Sequence, residues 1–430
     1  MSVHGVQNEQ AIYQQVFSPA AKMEDPNGAL DPQKCPGGDQ MRLQSSCVAA
    51  SVLCLLLIAP AAYAGQSGAG SGAGETTGES SGLHMSDREQ RGLKGPVETC
   101  VQENTYPAST LADGTQIPER KYHERTEYSS DGRMMSTTQS NGDHSEWETQ
   151  FTYDANGQLL KTKSGNKDEK PTETIYSYDE KGKLLTIRSS NSPGDPITFH
   201  YDEQGRKTKV QVSRPEDYRP NVAQGGSPFE VADRPPNLPG GGTATTIYDE
   251  QDRPVEVQVR DQKGKLISRA LRTYNMGGRV TEEKQVLASP EMMIPADARA
   301  QLLQESGASI EELREQLTDL MGGQAGPYSI AYSYDSHGRQ TMLRRRIFNR
   351  EEEIETTYNE QGDKASEITR TISVGGSGDE PPGPPEYSEA RYTYQYDDYG
   401  NWTEQAVSFR SSPDGTFQSS FETRRTLTYY

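Results

Sequence analysis

The sequence has little cysteine, and its histidines are scattered. Four cysteines occur in 430 residues, and Cys35, Cys47 and Cys54 all precede residue 64. The chain beyond that point keeps only Cys100, which excludes an intramolecular disulfide there. The six histidines follow no HExxH or paired-cysteine spacing, so the sequence predicts no metal site and no cofactor.

Apolar side chains are also scarce. Hydrophobic residues make up 31% of the chain, whereas packed globular domains have roughly 45–50% with glycine included. A single-layer sheet with one solvent-exposed face, together with unstructured inserts, explains this low hydrophobic content. No segment after residue 64 is apolar enough to span a bilayer. The net charge of −19 argues against nucleic acid or an anionic membrane as a partner.

What the sequence has in abundance is one short pattern, in which tyrosine, aspartate or asparagine, two further residues and glycine follow one another. Its six strong copies have their first, second and fifth residues at Tyr153, Asp154 and Gly157; Tyr178, Asp179 and Gly182; Tyr201, Asp202 and Gly205; Tyr334, Asp335 and Gly338; Tyr358, Asn359 and Gly362; and Tyr396, Asp397 and Gly400. Weaker copies start at Tyr128, Tyr248 and Tyr274, and the copy at Tyr248 ends in Asp252 instead of glycine. Such repetition favours one elongated body, although the length suffices for two or three domains.

The pattern is typical of a type I turn, in which the Asp or Asn side chain caps backbone amides and glycine takes a positive φ. Apolar residues fall on alternate positions before the turn tyrosine and at the third, fifth and seventh positions after the glycine, as at Leu185 and Ile187. This period of two predicts half-buried antiparallel strands with the tyrosine on the apolar face. The alternation breaks at Thr281–Glu283 and at Glu367–Ile368, where we expect bulges or sheet edges.

We therefore predict an all-β fold over residues 93–430, made of repeated antiparallel hairpins in an elongated, curved or partly closed sheet, with a first strand at Val97–Val101. Residues 213–242 and 375–385 are rich in proline and glycine and are predicted to be loops. Residues 296–321 are predicted to be helical. A capping box at Ser309 and Glu312 starts the second part, and Gly307 divides the segment into two short helices.

The N-terminal part has the three-part pattern of a secretory signal peptide. Residues 41–64 combine a basic start, the apolar run Val48–Ile58 and a small-residue site ending at Ala64, after which we expect cleavage. A buried core helix is the alternative interpretation of that run. Residues 1–40 show no pattern and are expected to be untranslated or disordered, with translation starting at Met41. Residues 65–92 form a predicted Gly/Ser-rich, disordered linker. The protein is thus expected to be exported to the periplasm, cell surface or medium.

These repeated tyrosine–aspartate pairs resemble the YD-repeat proteins of the Rhs class, over roughly Val97 to Tyr430. The resemblance implies hairpins wound into a β shell, which in large members can enclose a C-terminal toxin. This chain has few repeats, and its sole Asp-Pro-x-Gly motif, Asp25–Gly28, lies ahead of the signal instead of at the end of the repeats. We therefore do not carry the toxin-delivery role over to it.

Three sets of residues are candidates for chemistry. The repeated aspartates resemble a calcium ladder, but one carboxylate per turn rarely supplies the six or more oxygens that calcium needs, so turn capping is favoured. The turn tyrosines share a face with Ile, Val and Phe, which favours packing over a track for sugar rings. The less regular aromatics are the candidate ligand contacts: Trp147, Tyr387, Tyr399 and Trp402.

No nucleophile elbow, P-loop or dinucleotide fingerprint occurs, and the neighbouring carboxylates Asp397 and Asp398 are expected to point apart. The favoured hypothesis is a non-catalytic, exported scaffold of the bacterial cell envelope that binds glycans or envelope proteins. The alternative is an accessory or partial shell component of an Rhs-type toxin system. A hydrolase ranks third.

Overall fold

The structure is a computed structural model. It describes residues 85–110, 114–141, 146–167, 169–191, 194–218, 229, 236–320, 328–347, 350–373 and 384–430. The expected extension 1–40, the signal 41–64 with its cleavage site, most of the linker, and residues 375–383 of the last predicted loop therefore lie outside the described residues.

The described chain is almost entirely β-strand. The strands are β1 Val97–Tyr106, β2 Ser109–Thr110, β3 Gln116–Ile117, β4 Arg120–Tyr128, β5 Met134–Ser140, β6 Glu146–Tyr153, β7 Leu159–Asn166, β8 Thr172–Tyr178, β9 Leu184–Ser189, β10 Ile197–Tyr201, β11 Lys207–Ser213, β12 Gly241–Tyr248, β13 Pro254–Asp261, β14 Leu266–Tyr274, β15 Val280–Leu287, β16 Tyr328–Tyr334, β17 Gln340–Ile347, β18 Arg350–Tyr358, β19 Lys364–Ser373, β20 Glu386–Tyr396, β21 Trp402–Arg410 and β22 Gln418–Tyr429. The helices are α1 Asp87–Gln90, α2 Ala296–Ser306 and α3 Ile310–Leu320, with a 3₁₀ turn at Pro290–Met293.

Twenty of these strands form one closed antiparallel sheet, and β2 and β3 make a separate small ribbon. From β4 to β22 each strand pairs with the next, and β1 pairs with both β4 and β22, which closes the ring. The predicted all-β fold of repeated hairpins with a small helical insert is confirmed. Closure is complete, which goes beyond the predicted curved or partly closed sheet. Closed sheets of 16–18 strands already enclose more space than their side chains fill, so this ring is shell-like.

The ring is closed by a hairpin without a turn. β1 and β22 pair from Val97 with Tyr429 to Thr105 with Glu422, so the two ends of the described chain lie side by side. The Tyr430 amide donates to the Pro96 carbonyl, 3.0 Å away. The ring therefore consists of nine hairpins closed by repeat turns and a tenth formed by strands from opposite ends of the chain. We call the β22–β1–β4 region the seam.

The two faces of the sheet differ in burial. We call the face that carries the turn tyrosines the tyrosine face, and it holds buried residues such as Phe199, Val210 and Val257. The strand register shifts next to every turn tyrosine of the repeat, as between Ser177 and Tyr178. This bulge displaces the third residue after the glycine, so Leu185 is 37% exposed. The prediction that this third position joins the buried face was wrong. The bulge inserts one unpaired residue at this position, so the alternation of buried and exposed residues starts again after it.

Of the two predicted phase breaks, the one at Thr281–Glu283 contains a bulge and the one at Glu367–Ile368 does not. On β15 the register with β14 shifts at Thr281, which lies between the pairs Val280–Tyr274 and Glu282–Thr273, and this is the bulge that every repeat has after its turn. β15 and β19 each pair with a strand on both sides, so neither is an edge, and the register of β19 is continuous at Glu367–Ile368. Glu283 keeps its place on the tyrosine face and is 2% exposed. Its carboxylate accepts a hydrogen bond from Arg272 Nε at 2.8 Å and one from the Tyr332 hydroxyl at 3.2 Å. An ion pair therefore occupies a position at which the pattern expects an apolar residue.

The helices lie at two places. α2 and α3 fall within the predicted helical segment, and Gly307 ends α2 in the left-handed conformation, with φ of 66°. The Ser309 amide donates to Glu312 Oε2 at 2.7 Å, and the Glu312 amide donates to Ser309 Oγ at 3.2 Å. α1 lies inside the stretch predicted as a disordered linker. Its own capping box, Ser86 with Glu89, explains why residues 87–90 are helical although the composition predicted a disordered linker there.

Candidate functional site

The turn tyrosines tie each hairpin to the preceding one. In seven hairpins the tyrosine hydroxyl donates to the carbonyl of the first strand residue after the turn of the previous hairpin. The pairs are Tyr153–Met134, Tyr178–Leu159, Tyr201–Leu184, Tyr248–Lys207, Tyr274–Pro254, Tyr334–Val280 and Tyr358–Gln340, at 2.6–2.9 Å. Tyr396 differs, since its hydroxyl donates to Asp363 Oδ2 at 2.7 Å.

The second residue of each repeat caps its own turn. Asp154 Oδ1 accepts the amides of Asn156 and Gln158 at 2.9 and 2.8 Å. The same arrangement places one carboxylate or amide oxygen over each of the other strong turns, at Asp179, Asp202, Asp335, Asn359 and Asp397. These oxygens are committed to backbone amides, so the aspartates act separately, one per turn.

An arginine that follows the turn glycine completes the repeat, and the sequence analysis missed it. Arg133, Arg206, Arg253, Arg279 and Arg339 each lie over the turn tyrosine of the next hairpin, at 4.7–5.9 Å from the ring centroid. Arg339 also donates from Nε to Asp335 Oδ2 at 2.8 Å. Burial by itself would raise the pKa of Asp335, but the hydrogen bonds from Arg339 outweigh it and hold this pKa below its usual value. The sequence pattern could have revealed this arginine, because arginine follows the fifth residue in five of the nine units.

The turn glycines take a positive φ, and at some of them the arginine also fills the space beside the glycine. Gly338 has φ of +83°, and a Cβ placed there would lie 2.2 Å from Arg279 Nη2. We call the end of the ring that carries the repeat turns the turn end. Its connections are short, and their polar groups bind each other. All nine turns contain five residues; Tyr153 ends β6 and Leu159 begins β7, for example.

The opposite end, which we call the insert end, carries the long connections. Between Ser213 and Gly241 lie 27 residues (214–240), and between Leu287 and Tyr328 lie 40 (288–327). The two inserts meet over β12–β14. Phe229 and Leu238 of the first insert share a cluster with Val257, and Met292 and Met293 of the second pack against it. The fold therefore fixes both inserts on one side of the ring.

Glu291 anchors the helical insert. It lies in the 3₁₀ turn, is fully buried, and forms ion pairs with Lys265 at 2.7 Å and Arg314 at 2.8 Å. Lys265 belongs to the β13–β14 turn and Arg314 to α3, while Arg299 of α2 donates to the Glu291 carbonyl at 3.1 Å. Burial opposes ionisation, but hydrogen bonds from Arg314 and Lys265 lower the pKa of Glu291 to about 2. The Glu291 carboxylate thus joins the sheet to α3, and the backbone carbonyl of the same residue is bound by α2.

The outer surface of the helix pair is acidic. Leu302, Leu313 and Leu317 form its core with Ile294. The two arginines of the pair, Arg299 and Arg314, contact the Glu291 residue. The acidic side chains that remain exposed on α2 and α3 are Asp297, Glu305, Glu311, Glu312, Glu315 and Asp319.

The four candidate contact aromatics do not form one site. Trp147 and Tyr387 lie at the insert end, on β6 and β20, which are six strands apart around the ring, or about 29 Å along the sheet. Tyr399 and Trp402 lie at the turn end. Tyr399 stacks on Tyr429 with centroids 4.5 Å apart, and Trp402 packs under the Arg425 guanidinium. The structure therefore provides no continuous aromatic track through these four residues.

Within the described residues, no group of His, Cys, Asp and Glu side chains is arranged so that it could hold a metal ion. Over the same part of the chain, no helix has the length and apolar character needed to cross a membrane.

Comparison with known proteins agrees with the repeat architecture. Residues 113–222 match the family model of the Teneurin YD-shell. The match covers 110 of the 430 residues, and together with the repeats and the closed sheet it supports a shell-like architecture of the YD-repeat type. No curated protein matches it.

Two solved structures show remote similarity. A porin-like protein from Bacteroides uniformis is 10% identical, with 78% of this chain and 98% of that chain covered and a TM-score of 0.28. The Photorhabdus luminescens Tc holotoxin pore is 13% identical, with 72% of this chain covered and a TM-score of 0.26. The chain spans only 16% of that toxin chain.

Proposed function

We propose that this protein is a non-catalytic, exported scaffold of the bacterial cell envelope that binds an envelope protein through its insert end. The observation that carries the proposal is the asymmetry of the ring. All nine connections at the turn end are five-residue turns, whereas the long inserts leave the opposite end, where they pack together over β12–β14 and Glu291 anchors the helical one. Variable connections on a rigid frame are where proteins commonly place binding surfaces.

The acidic exterior of α2 and α3 favours a partner with a basic surface. The scattered aromatics make a glycan the less favoured ligand, since sugar recognition by stacking needs neighbouring rings. Closure of the ring also weakens the alternative of a partial shell component, because β1 and β22 pair with each other and offer no free edge for another chain.

Charge reversal tests the proposal directly. We expect the chain from Gly65 onward, immobilised, to retain a basic protein from bacterial envelope extracts, with retention falling as salt increases. Glu311→Lys with Glu315→Lys should abolish retention. The matched control, Glu180→Lys with Glu203→Lys, reverses two exposed charges at the turn end and should leave retention unchanged.

Equal retention by both double variants would contradict a role for the insert end. Binding to a glycan array by the wild-type chain, without retention of any protein, would move the proposal to a sugar ligand. Hydrolysis of generic glycoside or peptide substrates by the purified chain would overturn its non-catalytic character.

A further inference from the structure

A small polar cavity lies at the seam of the ring, under the segment that follows α1. Its volume is about 20 Å³, which suits a single ligand the size of a water molecule or a small ion. All three strands of the seam and the N-terminal segment line it. The lining residues are Arg91, Leu93, Cys100, Gln102, Glu124, Thr126, Tyr128 and Arg425.

One buried hydrogen-bond donor without a protein acceptor lines this cavity, beside a guanidinium that is partly engaged. Tyr128 is only 3% exposed, and within the described part of the chain its buried hydroxyl has no hydrogen-bond partner. Arg425 donates from Nε to Gln102 Oε1 at 3.1 Å, which leaves its two terminal nitrogens for another acceptor. A buried donor that lacks an acceptor is costly, so the Tyr128 hydroxyl favours a ligand that accepts, and the terminal nitrogens of Arg425, whose guanidinium also lies over the Trp402 ring, can donate to the same ligand.

The acceptors of the cavity are already engaged. Glu124 Oε1 accepts from Arg91 Nη1 at 2.7 Å, and Glu124 Oε2 accepts from Gln139 Nε2 at 3.1 Å. Two guanidinium groups therefore line the cavity against one carboxylate, which leaves an excess of one positive charge. Burial lowers the pKa of Arg425 to about 10, as expected for a guanidinium whose charge is incompletely compensated.

We propose that the cavity binds a small monovalent anion such as chloride, held by the Tyr128 hydroxyl and the Arg425 guanidinium, and that the bound anion stabilises the closed ring. A water molecule would accept from Tyr128 but would leave the excess charge uncompensated. The residues that hold the anion come from β4 and β22, which meet only across β1 at the seam. The anion therefore binds the closed ring in preference to the unfolded chain, which links its concentration to stability.

Thermal unfolding in chloride and in gluconate, at equal ionic strength, tests this inference. We expect chloride to raise the melting temperature of the wild-type chain by about 1–3 °C. Tyr128→Phe should abolish this increment. In gluconate the same variant should be as stable as the wild type or more so, because it removes a buried hydroxyl without a partner. Tyr399→Phe, which changes an exposed tyrosine outside the cavity, should keep the chloride response.

Crystals soaked in bromide provide a readout that does not depend on the variant folding. An anomalous peak within hydrogen-bond distance of the Tyr128 hydroxyl is the expected result. A water molecule alone at that position, with no anomalous signal, overturns the proposal. An equal response of wild type and Tyr128→Phe to chloride does the same.

Discussion

At the scale of single residues, the turn tyrosine joins hairpins in addition to packing its ring. Its position is set by its own turn, but its hydroxyl reaches the backbone of the previous hairpin in seven of the repeats. The arginine after the turn lies over the tyrosine of the following hairpin. Each repeat is therefore bound to both neighbours by side chains as well as by strand pairing.

The hydroxyl contribution can be measured at Tyr178, which donates to the Leu159 carbonyl at 2.8 Å. We expect Tyr178→Phe to lower the free energy of unfolding by about 1 kcal/mol, the typical net value of such a hydrogen bond. The measurement is the midpoint of urea denaturation. Tyr399→Phe serves as the control, because Tyr399 is 51% exposed, and it should change stability by less than about 0.5 kcal/mol. Equal effects of the two variants would show that the hydroxyl link adds no stability.

At the scale of elements, the helical insert depends on the ionised form of one buried residue. The pKa of Glu291 in the folded protein is about 2, below that of an unfolded glutamate. Its carboxylate therefore stabilises the fold fully above the unfolded pKa of about 4.3, and this contribution is lost as the pH falls toward 2. The corresponding loss is at most on the order of 3 kcal/mol.

Thermal denaturation between pH 6 and pH 2.5 would reveal this dependence in the wild-type chain. Glu291→Gln keeps the shape of the side chain but cannot ionise, so its melting temperature should be lower at pH 6 and should fall less steeply below pH 4.5. Glu311→Gln, on the exposed side of α3, is the matched control and should follow the wild-type curve. A Glu291→Gln curve parallel to the wild-type curve would contradict the role assigned to Glu291.

The β14–β15 hairpin also depends on an ion pair. Arg272 is 11% exposed in its side chain and lies 2.6 Å from the Glu283 carboxylate. Glu283→Ala should destabilise the chain by about 3–5 kcal/mol, because a buried guanidinium then loses this carboxylate. The neighbouring Glu282→Ala, at an exposed position of the same strand, should cost less than about 0.5 kcal/mol. Urea denaturation of both variants measures the difference, and similar midpoints would rule out a structural role for the pair.

At the scale of the whole molecule, the sequence predicts the hairpins but not the ring. Five residues contain all the information for a turn, and the apolar alternation sets which face each strand buries, so both could be predicted. The pairing of Val97 with Tyr429 depends on the twist accumulated over all twenty strands, which no local pattern encodes. For a related reason, the sequence did not predict the ion pair of Glu283. Arg272 can be recognised as its partner only when the register of the two strands is known.

The candidate site was less predictable than the fold. The helices could be placed from Ser309, Glu312 and Gly307, but composition does not show that Glu291 joins them to the sheet. The aromatics chosen for irregular spacing lie at opposite ends of the ring, since departure from a repeat carries no information about proximity.

Closure itself can be tested with the native thiol of Cys100. Its Cα partner across the seam is Leu427, and the two side chains pack in one cluster. Antiparallel partners lie about 4.5–5.5 Å apart at Cα, within the range that a disulfide spans. We therefore expect Leu427→Cys, in the chain from Gly65 onward, to form an intramolecular disulfide in the folded protein. Burial raises the pKa of the Cys100 thiol, so a mild oxidant will be needed.

Mass spectrometry under non-reducing conditions detects the bond through the peptide that joins β1 to β22. Val407→Cys is the control, because Val407 is also buried but lies on β21, about 10 Å from β1 across the sheet, and should stay unlinked. Since the bond joins strands from opposite ends of the chain, it should also raise the midpoint of urea denaturation. A folded Leu427→Cys chain that keeps both thiols free after oxidation would mean that β1 and β22 are not partners and that the sheet is open.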